Sequence, residues 1–192
     1  MMSDPTGMGE GLFLSTDAGE SWENVAPAIG SDDWNAVACS SDGYTIMAGL
    51  DGGSLYVSTD LGQTWSESDS GSFWTSVAAS DNASRLAACA QGNAIYTSDD
   101  DGSTWTRQEA SGERDWSCLA SSADGSFVIA GVYGGYMYTS EDAGVTWTER
   151  DSLDPKLWGC VASSANGVSL IAGVGLLGSL YTSTDAGETW MD

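Results

Sequence analysis

One octapeptide constrains this chain more than anything else in it. "STDAGESW" (Ser15 to Trp22) recurs as "STDLGQTW" (Ser58 to Trp65), "SDDDGSTW" (Ser98 to Trp105), "SEDAGVTW" (Ser140 to Trp147) and "STDAGETW" (Ser183 to Trp190). The closing tryptophans are spaced by 43, 40, 42 and 43 residues. A second series, Trp34, Trp74, Trp116 and Trp158, runs between them at spacings of 40, 42 and 42, and each opens a similar stretch such as "WNAVACS" or "WSCLASS". Two series sharing one period mean one structural unit repeated.

Within a unit four short segments read as strands. The first follows the Trp34-type residue. The second is "TIMAG" or its counterpart, the third "SLYVS" or its counterpart, and the fourth starts at the closing tryptophan. Turn formers such as "SSDG" and "SADG" separate them, and no stretch carries a sustained helical pattern. The first two strands alternate poorly, as strands buried on both faces do. Four strands per period of about 40 residues predict an all-β fold, a β-propeller of four-stranded antiparallel blades. The expected division is one domain over 1–192, with a leading half-blade at 10–30 and blades at 31–70, 71–112, 113–154 and 155–192.

The octapeptide, Ser-x-Asp-x-Gly-x-Thr/Ser-Trp, resembles the Asp-box, or BNR repeat, and the resemblance covers nearly the whole chain. Such boxes occur in sialidases, other glycoside hydrolases, sortilin-type receptors and photosystem II assembly-factor propellers. The resemblance implies that the box forms the turn between the third and fourth strands, opposite the usual ligand face. Its residues then have structural duties. Asp17, Asp60, Asp100, Asp142 and Asp185 accept backbone N–H bonds. Gly19, Gly62, Gly102, Gly144 and Gly187 supply a left-handed backbone position. Trp22, Trp65, Trp105, Trp147 and Trp190 fold back and bury apolar area. Phe13, Tyr56, Tyr96, Tyr138 and Tyr181, two residues before each box, stack into the same interface.

The count of units does not close. Five boxes stand against four Trp34-type strands, which gives about four and a half blades. Three outcomes are open: part of a longer propeller, copies that complete each other, or a compact ring fastened by the leading hairpin. A partial or assembling ring is the favoured expectation, because open edges seek partners.

Charge narrows the function. With 28 acidic and 5 basic residues, no histidine and a net charge of -23, the surface repels phosphates and anionic lipid, so no nucleic-acid role is expected. No apolar run reaches the length of a membrane span. Cys39, Cys89, Cys118 and Cys160 form no CxxC and have no histidine to join them, so no metal site is expected. They read as small core residues. No cofactor is expected. The sequon at Asn82 tilts the expected setting towards an extracellular or organelle-lumen one, with the chain either lacking a signal peptide or being a mature or truncated form.

On the ligand-side loops the charged candidates are Asp32, Asp33, Asp51, Glu113, Arg114, Asp115, Arg150 and Lys156. Asp32 and Asp115 are the pair to test for glycoside hydrolysis, which needs two carboxylates. Sialidases clamp a carboxylate with three arginines, whereas Arg85, Arg107, Arg114 and Arg150 do not occupy repeated inward positions. Phe73, Tyr133, Leu157, Leu176 and Leu177 are apolar loop residues that suggest a partner surface or fill the channel mouth. The reading is a non-catalytic scaffold with a protein or second copy as partner. The alternatives are a glycosidase or glycan-binding fragment and a photosystem assembly-type factor.

Overall fold

The segments after each Trp34-type residue are rich in valine, alanine and serine and free of proline, which suits a pleated, buried ladder. The computed structural model describes residues 11–29, 33–175 and 178–192, and of residues 69–71 the backbone only. A leading hairpin pairs β1 (Phe13–Leu14) with β2 (Glu23–Asn24). Blade I comprises β3 (Trp34–Cys39), β4 (Ile46–Leu50), β5 (Gly53–Ser58) and β6 (Ser66–Ser72). Blade II comprises β7 (Trp74–Ala79), β8 (Leu86–Asn93), β9 (Ile95–Ser98) and β10 (Thr106–Gln108). Blade III comprises β11 (Arg114–Ser121), β12 (Val128–Gly135), β13 (Met137–Ser140) and β14 (Thr148–Arg150). Blade IV has β15 (Lys156–Ser163), β16 (Leu170–Val174) and β17 (Leu180–Ser183), with a single bridge from Thr182 to Met191 in place of a fourth strand.

Every blade is an antiparallel meander in one register. Val37 faces Ala48 and Ala48 faces Tyr56; Leu119 faces Ala130 and Ala130 faces Tyr138. A bulge follows each opening tryptophan, between Trp34 and Ala36 and at its three counterparts. It turns the indole towards the third strand, where it meets the tyrosine edge-on at 5.3 to 5.7 Å.

Blades stack face to face, and one core cluster fills each junction. Met47, Leu55 and Val57 of blade I pack on Trp74, Val77, Leu86 and Ala88 of blade II. Ala87, Cys89 and Ile95 pack on Trp116, Leu119 and Ala130, and Cys118, Ile129 and Met137 pack on Trp158, Leu170 and Ala172. Each buried valine, leucine or isoleucine in these junctions is worth about 1.5–3 kcal/mol. A hydrogen-bonded hook crosses every junction next to the indole. Asn35 Nδ2 donates to Trp74 O at 2.8 Å, Thr75 Oγ1 to Trp116 O at 2.8 Å and Ser117 Oγ to Trp158 O at 2.7 Å. The sheets do not return on themselves: among the described residues no strand of blade IV pairs with blade I or the leading hairpin. The fold is an all-β partial propeller.

Candidate functional site

The box is a self-contained hydrogen-bonded turn. In all five copies the serine Oγ donates to the aspartate Oδ1 at 2.7 to 2.8 Å and accepts from the glycine N–H at 2.8 to 3.0 Å. The same aspartate accepts the backbone N–H of the seventh residue at 2.8 to 2.9 Å and its hydroxyl at 2.5 to 2.8 Å. Hydrogen bonds to the ionised carboxylate hold all five aspartates below the usual carboxylate range, Asp17 and Asp185 at about 2. A catalytic proton donor at neutral pH needs the opposite shift, so these groups serve the turn.

The glycine is needed twice over. Its φ lies between +80° and +92°, and in the last four boxes a Cβ would meet a neighbouring blade: Val25 at 2.9 Å from Gly62, Val57 at 2.7 Å from Gly102, Thr97 at 2.9 Å from Gly144 and Thr139 at 3.4 Å from Gly187. The glycines take the expected left-handed position, and Ala18, Leu61, Asp101, Ala143 and Ala186 just before them share it, with φ of 56° to 61°. The box tryptophans bury less area than expected. Trp22 is 53% exposed and Trp65, Trp105, Trp147 and Trp190 are half-buried, whereas Trp74, Trp116 and Trp158 are buried. The indole that opens the first strand lies between two blades, while the box indole lies at the periphery.

The opposite rim is built by the residue just before each opening tryptophan: Asp33, Phe73, Asp115 and Leu157. Hydrogen bonds to the second strand pin its carbonyl, from Asp51 N to Asp33 at 2.9 Å, Gln91 N to Phe73 at 3.0 Å and Gly175 N to Leu157 at 2.8 Å. In two of the four the side chain projects over the glycine turn of the preceding blade. Phe73 crosses Gly52, and Leu157 lies beside Gly134 and is paired across the junction with Tyr133. Phe73, Tyr133 and Leu157 are all exposed, which makes an apolar rim over two of the three junctions. At the middle junction Asp115 pairs with Gln91 instead. Leu176, Leu177 and Asp32 lie outside the described residues.

The cations near this rim are engaged internally. Arg114 donates to Ser111 O and lies 4.5 Å over the Tyr138 ring, and Lys156 Nζ lies 5.0 Å over Tyr181. Arg150 Nε donates to Thr139 Oγ1 at 2.8 Å, and Arg107 pairs with Glu109 and Glu113. They are not arranged as an anion clamp. A cleft of about 230 Å³ between blades II and III exists because Ala87 is small where blades I and III have Met47 and Ile129. Its lining holds Arg85 and a single carboxylate, Asp99. Among the described residues no three acidic, cysteine or histidine side chains cluster as metal ligands, and no helix is long and apolar enough to cross a membrane.

A second turn device is far less conspicuous in the sequence than the box. Between the first and second strands Ser40, Ser80, Ser122 and Ser164 donate to Asp42, Asn82, Asp124 and Asn166 at 2.6 to 3.1 Å. Asn82 Oδ1 also accepts from Ser84 N and Oγ, so the sequon occupies an exposed structural turn. The cysteines divide. Cys89 and Cys118 are buried, and burial pushes their thiols up to about 12 and about 11. Cys39 and Cys160, expected in the core, are exposed.

The model of the BNR/Asp-box repeat matches residues 56–67, which span the second box. No curated protein matches the chain. Solved structures do. A GH74 enzyme of Niastella koreensis is 24% identical, with a TM-score of 0.65, over 82% of this chain and 24% of its own length. YCF48 bound to D1 peptide is 19% identical, with a TM-score of 0.65, over 93% of this chain and 59% of its own. The Cps50 (Swd1) β-propeller domain of Myceliophteria thermophila is 18% identical, with a TM-score of 0.58, over 79% of this chain and 50% of its own. The chain thus spans about a quarter to three-fifths of these proteins. It carries BNR/Asp-box repeats and folds as β-propeller blades.

Proposed function

We propose that this chain is a non-catalytic interaction module that takes a protein or peptide partner on the Phe73–Tyr133–Leu157 rim. The observation that carries this reading is the exposure of three large apolar side chains, Phe73 just before β7, Tyr133 in β12 and Leu157 in β15, on a rim that also holds Asp33, Asp51 and Asp115. Two apolar sites separated by an acidic one suit a segment that alternates apolar and basic residues, and the net charge of -23 steers such a partner. The fold likeness to YCF48, whose structure holds D1 peptide, supports a peptide partner, and an assembly role is the narrower form of the same reading. The test is a titration with a fluorescent peptide of alternating leucine and lysine, beside one carrying aspartate for lysine. The lysine peptide binds, and Tyr133→Ser with Leu157→Ser weakens it at least tenfold. Binding indifferent to both substitutions overturns the reading.

A second reading, a glycan-active fragment, is supported by the likeness in fold to GH74 enzymes and by the exposed rings of Phe73 and Tyr133, which offer sugars a stacking face. It requires a second carboxylate about 5 to 9.5 Å from Asp115. Turnover of aryl glycosides that disappears in Asp115→Asn favours this reading; no turnover in the unaltered chain removes it.

A further inference from the structure

Each end of the blade stack exposes apolar side chains whose equivalents are buried in the internal junctions; on blade I the exposure is confined to the first strand, because Ile46 and Ala48 of β4 are buried. On the front of blade I, Val37 is 62% exposed, while its equivalent Val77 is 7% exposed. Cys39 beside it is exposed and Trp34 only half-buried, although Trp74, Trp116 and Trp158 in the same slot are buried. On the back of blade IV, Ile171 is 42% exposed, while its equivalent Ile129 is 0% exposed. Cys160 and Ala162 beside it are exposed as well. The molecule holds three examples of what covers such faces, and in each the back of one blade covers the front of the next.

We propose that two copies of this chain join head to tail, the back of blade IV in one copy (Cys160, Ala162, Ile171) covering the front of blade I in the other (Trp34, Val37, Cys39). The contact is heterologous, so two such joints are needed to close it, and two copies supply eight blades, within the closed range of four to eight. Apolar residues at the ends match apolar residues across the internal junctions, and a second copy of this chain brings that match with it.

At the joint two segments compete for one place. The leading hairpin and the trailing segment both carry a third strand and a box, and the boxes differ at one position of eight, Ser21 against Thr189. The leading hairpin is anchored on blade I, with Val25 O accepting from Trp65 Nε1 at 2.8 Å, and it has a true fourth strand. The trailing segment is tied to its own blade through four β16–β17 pairs and the Trp158–Tyr181 contact, but it has one bridge in place of a fourth strand. Only the hairpin brings a fourth strand to the joint, so in the proposed pair β17 yields and the joint blade takes β15 and β16 from one copy and β1 and β2 from the other. One element of a normal junction is missing. Gly159 stands where Asn35, Thr75 and Ser117 supply the hook.

Light scattering across a concentration series at about 0.15 M salt, where exposed charges are screened beyond about 8 Å, tests the joint. The expected species has twice the chain mass of 19.9 kDa. Val37→Asp and Ala162→Asp each give a folded single copy, both side chains being exposed there. Their mixture pairs again, more weakly than the parent, because one of the two joints is then made of two unaltered halves while the other brings both aspartates together. Gly159→Ser tightens association roughly 25-fold, the order of one added hydrogen bond at each of the two joints. Leu180→Asp leaves the mass unchanged, since β17 gives way; dissociation by it overturns the handover of the outer strands. A single copy at every concentration, or a pair indifferent to both aspartates, overturns the joint. So does failure of the mixture to pair, which would mark a two-fold contact of like faces. Tyr133→Ser with Leu157→Ser leaves the mass unchanged, so this inference and the rim reading fail separately.

Discussion

The middle junction and the two ends of the stack are built from the same repeat, yet they behave as core and as surface. Between blades II and III, Ala87, Cys89 and Ile95 pack with Trp116, Leu119 and Ala130 and all six are buried, the cleft beside Ala87 notwithstanding. At the ends the equivalents of Ala87, Ile95 and Leu119 are Ile171, Leu180 and Val37, all exposed. The residue types barely differ. Burial is therefore a property of having a neighbour, and a repeat supplies the neighbour for every blade except the outermost.

The largest test of that difference puts a charge in equivalent slots. Val77→Asp buries an unpaired carboxylate and costs at least about 3 kcal/mol or prevents folding, while Val37→Asp changes the stability of the single copy by less than about 0.5 kcal/mol. Urea titration followed by indole fluorescence measures both, and equal losses would erase the distinction. The indoles give the next contrast. Trp116→Ala costs about 3–5 kcal/mol, and Trp22→Ala, at an exposed periphery, less than about 1.

The box glycines separate local from tertiary demands. Gly19→Ala suffers only from φ of +89°, with nothing within 4 Å of the new Cβ, and loses about 1–2 kcal/mol. Gly102→Ala has the same backbone demand and also meets Val57 at 2.7 Å, so it loses about 1–3 kcal/mol more. Thermal melts of the pair isolate the junction contact; identical shifts would refute it.

Thiol labelling sharpens the contrast without touching the fold. Cys39 and Cys160 react with a neutral-pH thiol reagent within minutes when the chain is dilute, whereas Cys89 and Cys118, with thiols pushed up by burial, react only on unfolding. The smallest effect is that of acid. The box aspartates have folded values below their unfolded value of 3.8, so their contribution is full above about pH 4. It is lost as pH falls from there through about 2, and Asp142→Asn flattens that part of the curve. A melting temperature unchanged across this window in the parent chain contradicts the assignment.

Much of the fold is legible in the order of the residues alone. The period, the four strands and the turn chemistry of Asp17 and its equivalents are local, and local chemistry is written in order along the chain. Ala18, Leu61 and Asp101 are not recognisable as left-handed, because such residues usually avoid that conformation and only the closed ring of box hydrogen bonds holds them there. The rim is half legible. Phe73, Tyr133 and Leu157 stand out as apolar loop residues, but that Leu157 lies against Tyr133 of the preceding blade depends on a ladder between blades. Arg114 and Lys156 read as free cations and are stacked on Tyr138 and Tyr181, partners 24 and 25 residues away in sequence.

By itself the sequence determined the blade: its strands, its turns and the number of times it is repeated. Each of these follows from side chains within a few residues of one another. Only the tertiary structure decided which copies of an equivalent residue are core and which are surface. Cys118 and Cys160 occupy the same slot, one buried and the other exposed, because the apolar face of a blade is hidden by the next blade and not by anything in its own sequence.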